Sequence, residues 1–381
     1  IYVAFHSNAS NLVANDSNNN TDVFVRDLRA SETTLMSVND DGEQGNDVSY
    51  FASISGTGRF VAFTSYATNL VDGDDNGVSD VFVREPWYER TTSASAGGDG
   101  RSYDAAISGD GRYVAFTSYA ENFVFGPGNP GPPIDTNGFP DVYVYDQLTG
   151  DHDLVSVGSA GELGNGSSHA PAISKQGRFV AFMSSSSNLV EGDDNGARDV
   201  FVHDRETGVT ERVGEYVDNF EGLGRLSISQ EGRYVAFPSY GSDLVPGDTN
   251  GVTDVFVHDR WTGVTERVSR SSDGSEGDGA SMFPSLGPDG TSVAFASQAE
   301  NLVSTDSNEK SDIFVRSSWP TEVVFADIFD SGSPSDWSAT TGFDEVCLSH
   351  HDNDGRAEGL ATLSGLILNG MYVGKFVPES Y

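Results

Sequence analysis

The residues best suited to chemistry in this sequence are carboxylates and carboxamides in short acidic turns. These turns follow the pattern Asp-x-Asn-Gly-x-x-Asp, with variations, and six copies occur along the chain. The second copy adds a leading acid, so that Asp72, Asp74, Asn76 and Asp80 form a comb of oxygen ligands. Calcium prefers six to eight oxygen ligands, often from a tight loop with carboxylates at alternate positions and a glycine at the bend. The spacing therefore predicts calcium as a cofactor.

The six copies differ in how many oxygen ligands they offer. The second copy ranks first, the fourth follows because Glu191 leads it, and the fifth ranks third, whereas copies other than the second and fourth have Ala, Pro or Ser at the leading position. The core of the second copy resembles the calcium loops of EF-hands and integrin α-subunit propellers, but no Glu stands at the twelfth position. The candidate calcium ligands are Asp72, Asp74, Asn76, Asp80, Glu191, Asp193, Asn195, Asp199, Asp248, Asn250 and Asp254, with Asp16, Asn18, Asp22, Asp135, Asn137, Asp141, Asp306, Asn308 and Asp312 as weaker candidates.

An ion-free explanation of the same turns remains open. Asp and Asn side chains also stabilise turns by accepting hydrogen bonds from nearby backbone amides. The length of the connections favours an ion, since 17 residues separate Phe237 from Val255 and unstructured connections longer than about 12–15 residues are uncommon. We expect the Leu-Val pair of each copy to hold one side of the connection, and a cation would hold the other.

The charge of the chain excludes some partners. It has 58 acidic and 21 basic side chains among 381 residues, a net charge of −37. Nucleic-acid binding needs a basic surface that releases counterions, and no Lys/Arg cluster occurs. No uninterrupted apolar stretch of about 18 residues is present, which excludes an ordinary membrane-spanning helix. The one cysteine, Cys347, excludes an intrachain disulfide and a cysteine-based zinc site.

The acidic turns belong to a longer internal repeat, which predicts the fold. The phrase Val-Ala-Phe recurs with its Val at positions 3, 61, 114, 180, 235 and 293, and each copy continues with a Val-Phe-Val-like run and a third strand-like piece. Both runs are apolar at consecutive positions, which is typical of strands that are covered on both faces. Stacking the sheets radially satisfies that demand. We therefore predict an all-β fold, a six-bladed β-propeller of four-stranded blades.

A family resemblance follows from the repeat. The phrase Ser-Gly-Asp-Gly-Arg-Tyr-Val-Ala-Phe at 108–116, followed by an Asp-Val-Tyr-Val strand, resembles the repeat of TolB-like propellers over about residues 1–325. That resemblance implies the fold, but not one function, because TolB-like propellers include protein-interaction domains, peptidase gating domains and oligogalacturonate lyases.

The domain boundaries follow from the extent of the repeat. We expect the propeller at 1–325, with repeats starting near 1, 59, 112, 178, 233 and 291, and a C-terminal extension at 326–381. Because residue 1 lies inside the first Val-Ala-Phe strand, upstream residues or the C-terminal tail must supply the preceding strand. A hairpin at 360–377, signalled by Asn-Gly between apolar runs, is a candidate for closing the ring or binding a partner. Residues 324–341 resemble a segment found near the C-termini of many exported bacterial proteins.

The search for a catalytic constellation gives weak candidates. His203 and His258 occupy a position that holds Arg or Tyr in other copies, which favours a structural role at a strand end. His152 and His169 are expected in the loops of the third copy, which also hold a long Gly/Pro-rich insertion, so that region is the first place to seek a site that departs from the repeat symmetry. Trp87, Tyr88 and Trp261 are a possible glycan platform or exposed turn residues. His350 and His351, before an Asp-rich stretch, could form a second metal cluster.

Three functions remain open. The favoured one is an exported, calcium-binding, non-enzymatic propeller, secreted or at the cell surface of a bacterium, that binds a protein or glycan partner or associates with itself. The second is a carbohydrate-active enzyme, similar to polysaccharide lyases, with its site at the mouth of the propeller. The third is a subunit of a self-assembling surface layer or fibre.

Overall fold

The chain folds into a ring of antiparallel sheets. The computed structural model describes residues 1–123, 135–216, 225–303, 306 and 310–317, and the strands at 322–323, 348–351 and 357–362. Within these residues, six sheets form the blades of a β-propeller, as the repeat predicts. In blades 2 to 6 four consecutive strands lie side by side, and the first strand of each blade lies nearest the central channel.

The strands of each blade are short. The strands are β1 (Tyr2–Ser7), β2 (Asp22–Asp27) and β3 (Glu32–Leu35) in blade 1; β4 (Ser49–Ile54), β5 (Val61–Ser65), β6 (Asp80–Glu85) and β7 (Arg90–Ser93) in blade 2; β8 (Ser102–Ile107), β9 (Tyr113–Ser118), β10 (Asp141–Asp146) and β11 (His152–Leu154) in blade 3; β12 (Ser168–Ile173), β13 (Phe179–Ser184), β14 (Arg198–Asp204) and β15 (Val209–Tyr216) in blade 4; β16 (Ser227–Ile228), β17 (Tyr234–Ser239), β18 (Asp254–Asp259) and β19 (Val264–Arg267) in blade 5; and β20 (Ser281–Leu286), β21 (Ser292–Ser297), β22 (Asp312–Ser317) and β23 (Glu322–Val323) in blade 6. A 3₁₀ turn, Pro86–Tyr88, joins β6 to β7.

The middle strands are buried on both faces. Val61, Ala62 and Phe63 of β5 are fully buried, as are the equivalent residues in blades 3, 4 and 5. The paired phenylalanines of the two middle strands stack at about 6 Å, for example Phe63 on Phe82 with 5.9 Å between ring centroids. Neighbouring blades thus cover each other, which explains why the apolar runs are continuous rather than alternating.

Glycine allows close contact between neighbouring blades. The turn before the second strand of blade 4 contains Gly177 at φ +74°, and a Cβ there would lie 2.2 Å from the Tyr113 ring of blade 3. Neither the backbone conformation nor the space admits a side chain. The same contact recurs at four more junctions. The glycines are Gly58, Gly111, Gly232 and Gly290, which meet Tyr2, Phe60, Phe179 and Tyr234.

The two ends of the channel differ in structure. At one end, the turn mouth, the first and second strands of each blade are joined by short turns such as 55–60, and backbone hydrogen bonds run between blades, for example from Gly56 N to Gly109 O at 2.9 Å and from Lys175 N to Gln230 O at 3.1 Å. At the other end, the loop mouth, lie the acidic turns and the connections between blades. The longer connections place polar side chains at the loop mouth.

The C-terminal region adds two strands to blade 1. Strands β24 (Leu348–His351) and β25 (Ala357–Thr362) extend its sheet, and β25 pairs with β1 through Phe5 and Ala361. β25 thus lies beside β1 as β4 lies beside β5 in blade 2, and β24 forms the edge of the sheet beyond it. The expected hairpin at 360–377 lies outside the described residues beyond Thr362, and it stays a prediction. No helix in the described part of the chain is long and apolar enough to cross a membrane.

Candidate functional site

The acidic turns bring two aspartates together in blades 1 to 5, and the second one begins the strand that pairs with the Val-Ala-Phe strand. In blade 2, Asp80 is 3% exposed and accepts hydrogen bonds from Ser95 Oγ at 2.6 Å and from Asn76 Nδ2 at 2.8 Å. Ser95 Oγ in turn accepts the Val81 amide at 2.9 Å. Blades 1, 3 and 5 repeat the serine contact, with Ser37, Ser156 and Ser269 as the donors to Asp22, Asp141 and Asp254.

In blades 4 and 5 an arginine lies between the two aspartates. Arg212 Nη1 contacts Asp193 Oδ1 at 3.3 Å and Asp199 Oδ2 at 3.0 Å. Arg267 Nη1 contacts Asp248 Oδ1 at 3.3 Å, Asp254 Oδ2 at 3.4 Å and Glu276 Oε1 at 2.6 Å. The guanidinium occupies the place where the sequence predicts calcium, so these two turns carry their own cation.

In blades 1 and 3, neutral side chains donate hydrogen bonds to the aspartates. In blade 1, Gln44 Nε2 donates to Asp16 Oδ1 at 3.0 Å and to Asp22 Oδ2 at 2.9 Å. In blade 3, the Tyr143 hydroxyl donates to Asp135 Oδ2 at 2.8 Å. Burial and the neighbouring Asp135 raise the pKa of Asp141. These pairs therefore depend on hydrogen bonding to neutral donors instead of a positive charge.

The second turn has less compensation than the first, third, fourth and fifth turns. Asp74 Oδ1 is buried and has no hydrogen-bond partner in the described part of the chain. Burial, followed by the charges of Asp80 and Asp75, raises the pKa of Asp74 to about 6. Of the sixth turn, Asp306 and Asp312 are described, and Asn308 lies outside the described residues.

The asparagines are oriented as hydrogen-bond donors to the aspartates. Asn76 Oδ1 accepts the Val78 amide at 2.9 Å, so its Nδ2 faces Asp80. The leading acids Asp72 and Glu191 are exposed. The described residues contain no group of three His, Cys, Asp or Glu side chains arranged to hold a metal. A calcium ion at the second turn would therefore require the Asn76 amide to rotate. The asparagines of blades 3, 4 and 5 have the same orientation, and these are Asn137, Asn195 and Asn250.

A second cluster, the channel cluster, lies where the innermost strands bulge. Phe51, Asp104, Ala170 and Phe283 occupy equivalent bulge positions with φ between 51° and 57°, a conformation that strains residues other than glycine. Arg225 holds the same position in blade 5. Its guanidinium lies 4.5 Å from the Phe51 ring centroid. Because blades 2 and 5 are opposite each other in a ring of six, this contact spans the channel.

Two titratable groups have shifted pKa values here, Asp104 within the channel cluster and His6 beside it. Burial raises the pKa of the Asp104 carboxyl, and the charge of Arg225 opposes that shift. The His6 ring meets Phe51 edge-on at 6.0 Å, and burial together with Arg225 lowers the pKa of His6 to about 4. Histidine 6 is therefore neutral at pH 7.

A third group, the junction cluster, lies between blades 3 and 4 at the loop mouth. It consists of Arg101, Tyr103, Tyr119, His169 and Arg198. Tyr103 Oη lies 3.3 Å from His169 Nδ1, and the Arg101 guanidinium lies 4.4 Å from the Tyr119 ring centroid. Burial, Arg198 and Arg101 lower the pKa of His169 to about 4. The cluster presents two guanidinium groups, a neutral imidazole and two phenol rings.

The sequence reached only part of this arrangement. It singled out the third copy and His169, but it missed the arginines and tyrosines around that residue. The signal that could have found them is variation at positions that are otherwise regular across the six copies. The structural interpretation of His203 and His258 is confirmed, because each Nδ1 lies 2.8 Å from a threonine hydroxyl of the next strand. His152 is also structural, with Nε2 2.8 Å from Ala94 O.

The remaining candidates lie elsewhere. Trp87, Tyr88 and Trp261 are exposed on turns at the turn-mouth end, and Arg233 stacks on Trp261 at 4.5 Å. They are thus far from the loop mouth. His350 and His351 belong to β24, whose side chains are outside the described part of the chain.

Comparisons with known proteins give a likeness of fold. No family model and no curated protein sequence matches the chain. TolB from Acinetobacter baumannii is 15% identical with a TM-score of 0.47, and the match covers 83% of this chain and 61% of that chain. A prolyl endopeptidase is 13% identical with a TM-score of 0.50, covering 93% and 44%. An oligogalacturonate lyase in complex with manganese is 12% identical with a TM-score of 0.48, covering 91% and 83%.

These similarities agree with the strand order, which establishes the fold by itself. The chain spans 61% of the TolB structure and 44% of the prolyl endopeptidase, so whole-protein activities do not transfer from them. The chain is a six-bladed β-propeller that is similar in fold to TolB.

Proposed function

We propose that this chain is a non-enzymatic propeller that binds a protein or glycan partner through its loop mouth. The observation that carries the proposal is the variety of residues at one position of the innermost strands. Phe51, Asp104, Ala170, Arg225 and Phe283 share that position, although their blades repeat the same core residues. Binding residues concentrate at variable positions held by a rigid scaffold, and four of these five residues, all except the buried Phe283, are partly exposed.

Calcium is proposed as a stabiliser of the second acidic turn alone. Asp74 and Asp80 repel each other without an arginine between them, and Asp74 Oδ1 lacks a hydrogen-bond partner in the described residues. A divalent cation would neutralise both carboxylates. The fourth and fifth turns are left out of this proposal because Arg212 and Arg267 already place a positive charge between their aspartates.

We also propose that the protein is exported and acts at the bacterial cell surface or outside the cell. Its charge of −37 supports this placement, because such a surface stays soluble at high ionic strength and attracts divalent cations. Fractionation of the native source with an antibody against the chain tests the proposal, and recovery only in the cytoplasmic fraction would contradict it.

The calcium proposal is tested by thermal unfolding with and without EGTA. At a calcium concentration 100 times the dissociation constant, one occupied site stabilises the fold by about 2.7 kcal/mol. EGTA should therefore lower the Tm of the wild type and leave that of Asp74→Asn unchanged. Asp248→Asn is the matched control, since its turn carries Arg267 and its response to calcium should equal that of the wild type. An equal Tm for the wild type in both buffers, with no metal by elemental analysis, would contradict the proposal.

A lyase acting on uronic-acid polysaccharides is the second candidate function. The contact between Tyr103 Oη and His169 Nδ1 favours it, because the two side chains lie within 3.3 Å of each other and a phenol and an imidazole are both residue types that transfer protons. Arg101 and Arg198 would neutralise a uronate carboxylate nearby. Formation of unsaturated products, measured at 235 nm on such polysaccharides, separates this function from simple binding.

A further inference from the structure

Four tyrosines lie at the loop-mouth end of blades 2 and 3, and we call them the tyrosine platform. In blade 2 the ring centroids of Tyr50 and Tyr66 are 6.3 Å apart and the rings are inclined by 35°. In blade 3 those of Tyr103 and Tyr119 are 6.4 Å apart and the rings are inclined by 31°. The outer ring of each pair reaches the surface, since Tyr66 is 39% and Tyr119 38% exposed. The two blades thus present one arrangement twice.

The strand register explains why the tyrosines pair. Tyr50 of β4 lies opposite Thr64 of β5, and Tyr66 follows Thr64 by two residues, which directs it to the same side. Diagonal neighbours across two strands are within reach of aromatic side chains. The same register recurs between β8 and β9 in blade 3. The two blades adjoin here, because the Ile107 amide of β8 donates to Ser53 Oγ of β4 at 3.1 Å.

The platform departs from the repeat symmetry. Among blades 2 to 6, only blades 2 and 3 have a tyrosine at both positions. The corresponding pairs in blades 4, 5 and 6 are His169 with Ser185, Gly224 with Tyr240, and Met282 with Gln298. These blades build the same core without the paired rings, so the fold does not require them. Functional residues concentrate at such variable positions on a rigid scaffold.

The inner rings are fixed by their neighbours. Tyr103 Oη lies 3.3 Å from His169 Nδ1, and the Tyr50 ring meets the edge of Phe51 with 4.7 Å between centroids. The Tyr66 amide donates to the backbone of the preceding connection, Val48 O, at 3.0 Å. Groups that are ordered before binding lose little conformational entropy when a ligand arrives.

The surroundings of the rings favour a glycan over a protein partner. The face of a phenol ring is negatively polarised, so it attracts the flat C–H face of a pyranose, whose hydroxyls then need hydrogen-bond partners. Arg101 offers such donors, because its exposed guanidinium lies 4.4 Å from the Tyr119 ring centroid. The core of a protein–protein interface is more apolar, whereas the equivalent positions in blades 1, 4 and 6 hold the exposed polar residues Asn8, Ser185 and Gln298.

We propose that the tyrosine platform binds a neutral glycan of hexopyranose units. Sugar rings pack on the exposed faces of Tyr66 and Tyr119, and Arg101 donates hydrogen bonds to their hydroxyls. This inference rests on the proposed function, because it chooses a glycan as the partner and places it on blades 2 and 3.

The test is isothermal titration of the full chain with the neutral tetrasaccharides cellotetraose, maltotetraose and chitotetraose. We expect at least one of them to bind. A proline-rich decapeptide is the probe for a protein partner, because aromatic grooves also bind polyproline II segments. Binding of the peptide and of none of the sugars would overturn the ligand class, while the proposed partner-binding function would survive.

Variants locate the site. Tyr66→Ala and Tyr119→Ala should each weaken binding of the sugar about fivefold, which is typical of one lost contact with an aromatic ring. Tyr66→Phe keeps the ring face and should bind nearly as well as the wild type. Tyr240→Ala is the matched control, since Tyr240 is 51% exposed and Gly224 stands at the position of the second tyrosine. The Tm of each variant shows that it is folded.

Three further outcomes would overturn the proposal. The first is that neither the sugars nor the peptide bind. The second is that both alanine variants of the platform bind the sugar like the wild type, which would put a glycan site elsewhere on the propeller and leave the proposed binding function intact. The third is that Tyr240→Ala weakens binding as much as Tyr66→Ala, because the effect would then not belong to the paired rings.

Discussion

The second and fifth acidic turns have nearly the same sequence but different electrostatics. In both turns an asparagine and a serine donate hydrogen bonds to the aspartate that begins the third strand. In the fifth turn Arg267, only 8% exposed, lies between Asp248 and Asp254. In the second turn Ser93 occupies the strand position opposite Phe82 that Arg267 holds opposite Phe256. Asp74 therefore faces Asp80 without a cation from the chain.

The difference shows that one repeated turn is stabilised in several ways. An arginine, a glutamine amide or a tyrosine hydroxyl compensates the paired acids in different blades. Since removing water from two carboxylates is costly unless they are paired or protonated, each blade needs its own solution. A bound cation should therefore stabilise the fold most at a turn that lacks such a compensating group.

The largest expected effect comes from removing the arginine of the fifth turn. Arg267→Met leaves Asp248, Asp254 and Glu276 without their shared cation, so we expect the free energy of unfolding to fall by about 3–5 kcal/mol without calcium. Calcium should recover part of the loss, because the fifth turn then resembles the second. Urea denaturation in EGTA and in calcium measures both effects.

The control for this prediction is an ion pair whose arginine is more exposed. Arg178→Met removes a guanidinium that is 39% exposed, and the loss should be smaller than for the buried Arg267. If Arg267→Met is as stable as the wild type in EGTA, the arginine does not neutralise the fifth turn and the comparison fails.

A smaller effect is expected from the buried serines. Ser95→Ala and Ser269→Ala each remove a hydroxyl donor to a buried aspartate. We expect a loss of about 2 kcal/mol for Ser95 and about 1 kcal/mol for Ser269, because hydrogen bonds to charged groups contribute about 1.5–3 kcal/mol and Asp254 keeps Arg267. If urea denaturation gives the same loss of unfolding free energy for both variants, Arg267 does not help Ser269 to stabilise Asp254.

The smallest effect is a pH dependence of the second turn. The pKa of Asp74 is about 6 in the folded chain and 3.8 as its ordinary value, so the folded state holds the proton more tightly. Ionisation therefore lowers metal-free stability as the pH rises from about 4 to about 6. Asp74→Asn lacks this loss and should become more stable than the wild type by about 1 kcal/mol or less above pH 6, since solvent screens a partly exposed group. The difference should vanish below pH 4, and a constant difference across that range in EGTA would contradict the assignment.

Much of the fold was predictable because it is encoded locally and repeated. The apolar runs at Val61, Val114 and Val180 gave the strands, and their continuity gave the burial of both faces. The pairing of β25 with β1 was less accessible, since the expected hairpin began at 360 whereas the observed strand is Ala357–Thr362. Strands at the ends of a repeat lack the internal copies that reveal the others.

The candidate sites were predicted less completely. The aspartates of the acidic turns were found, but the arginines that lie between the aspartates of two turns were not. Arg212 and Arg267 lie in repeated Val-Thr-Glu-Arg-Val phrases at 209–213 and 264–268, and their register opposite Phe201 and Phe256 places them beside the acids. That register depends on strand pairing, which the sequence suggests without specifying which side chains meet.

By itself, the sequence determined the number of blades, the order of their strands and the positions of six acidic turns, because these features follow from local patterns of apolar and turn-forming residues. Only the tertiary structure decided which turns hold an arginine, that Arg225 reaches Phe51 across the channel, and that the Tyr103 hydroxyl meets the His169 ring. Electrostatic interactions depend on distances between side chains that are far apart in the chain, and folding alone sets those distances.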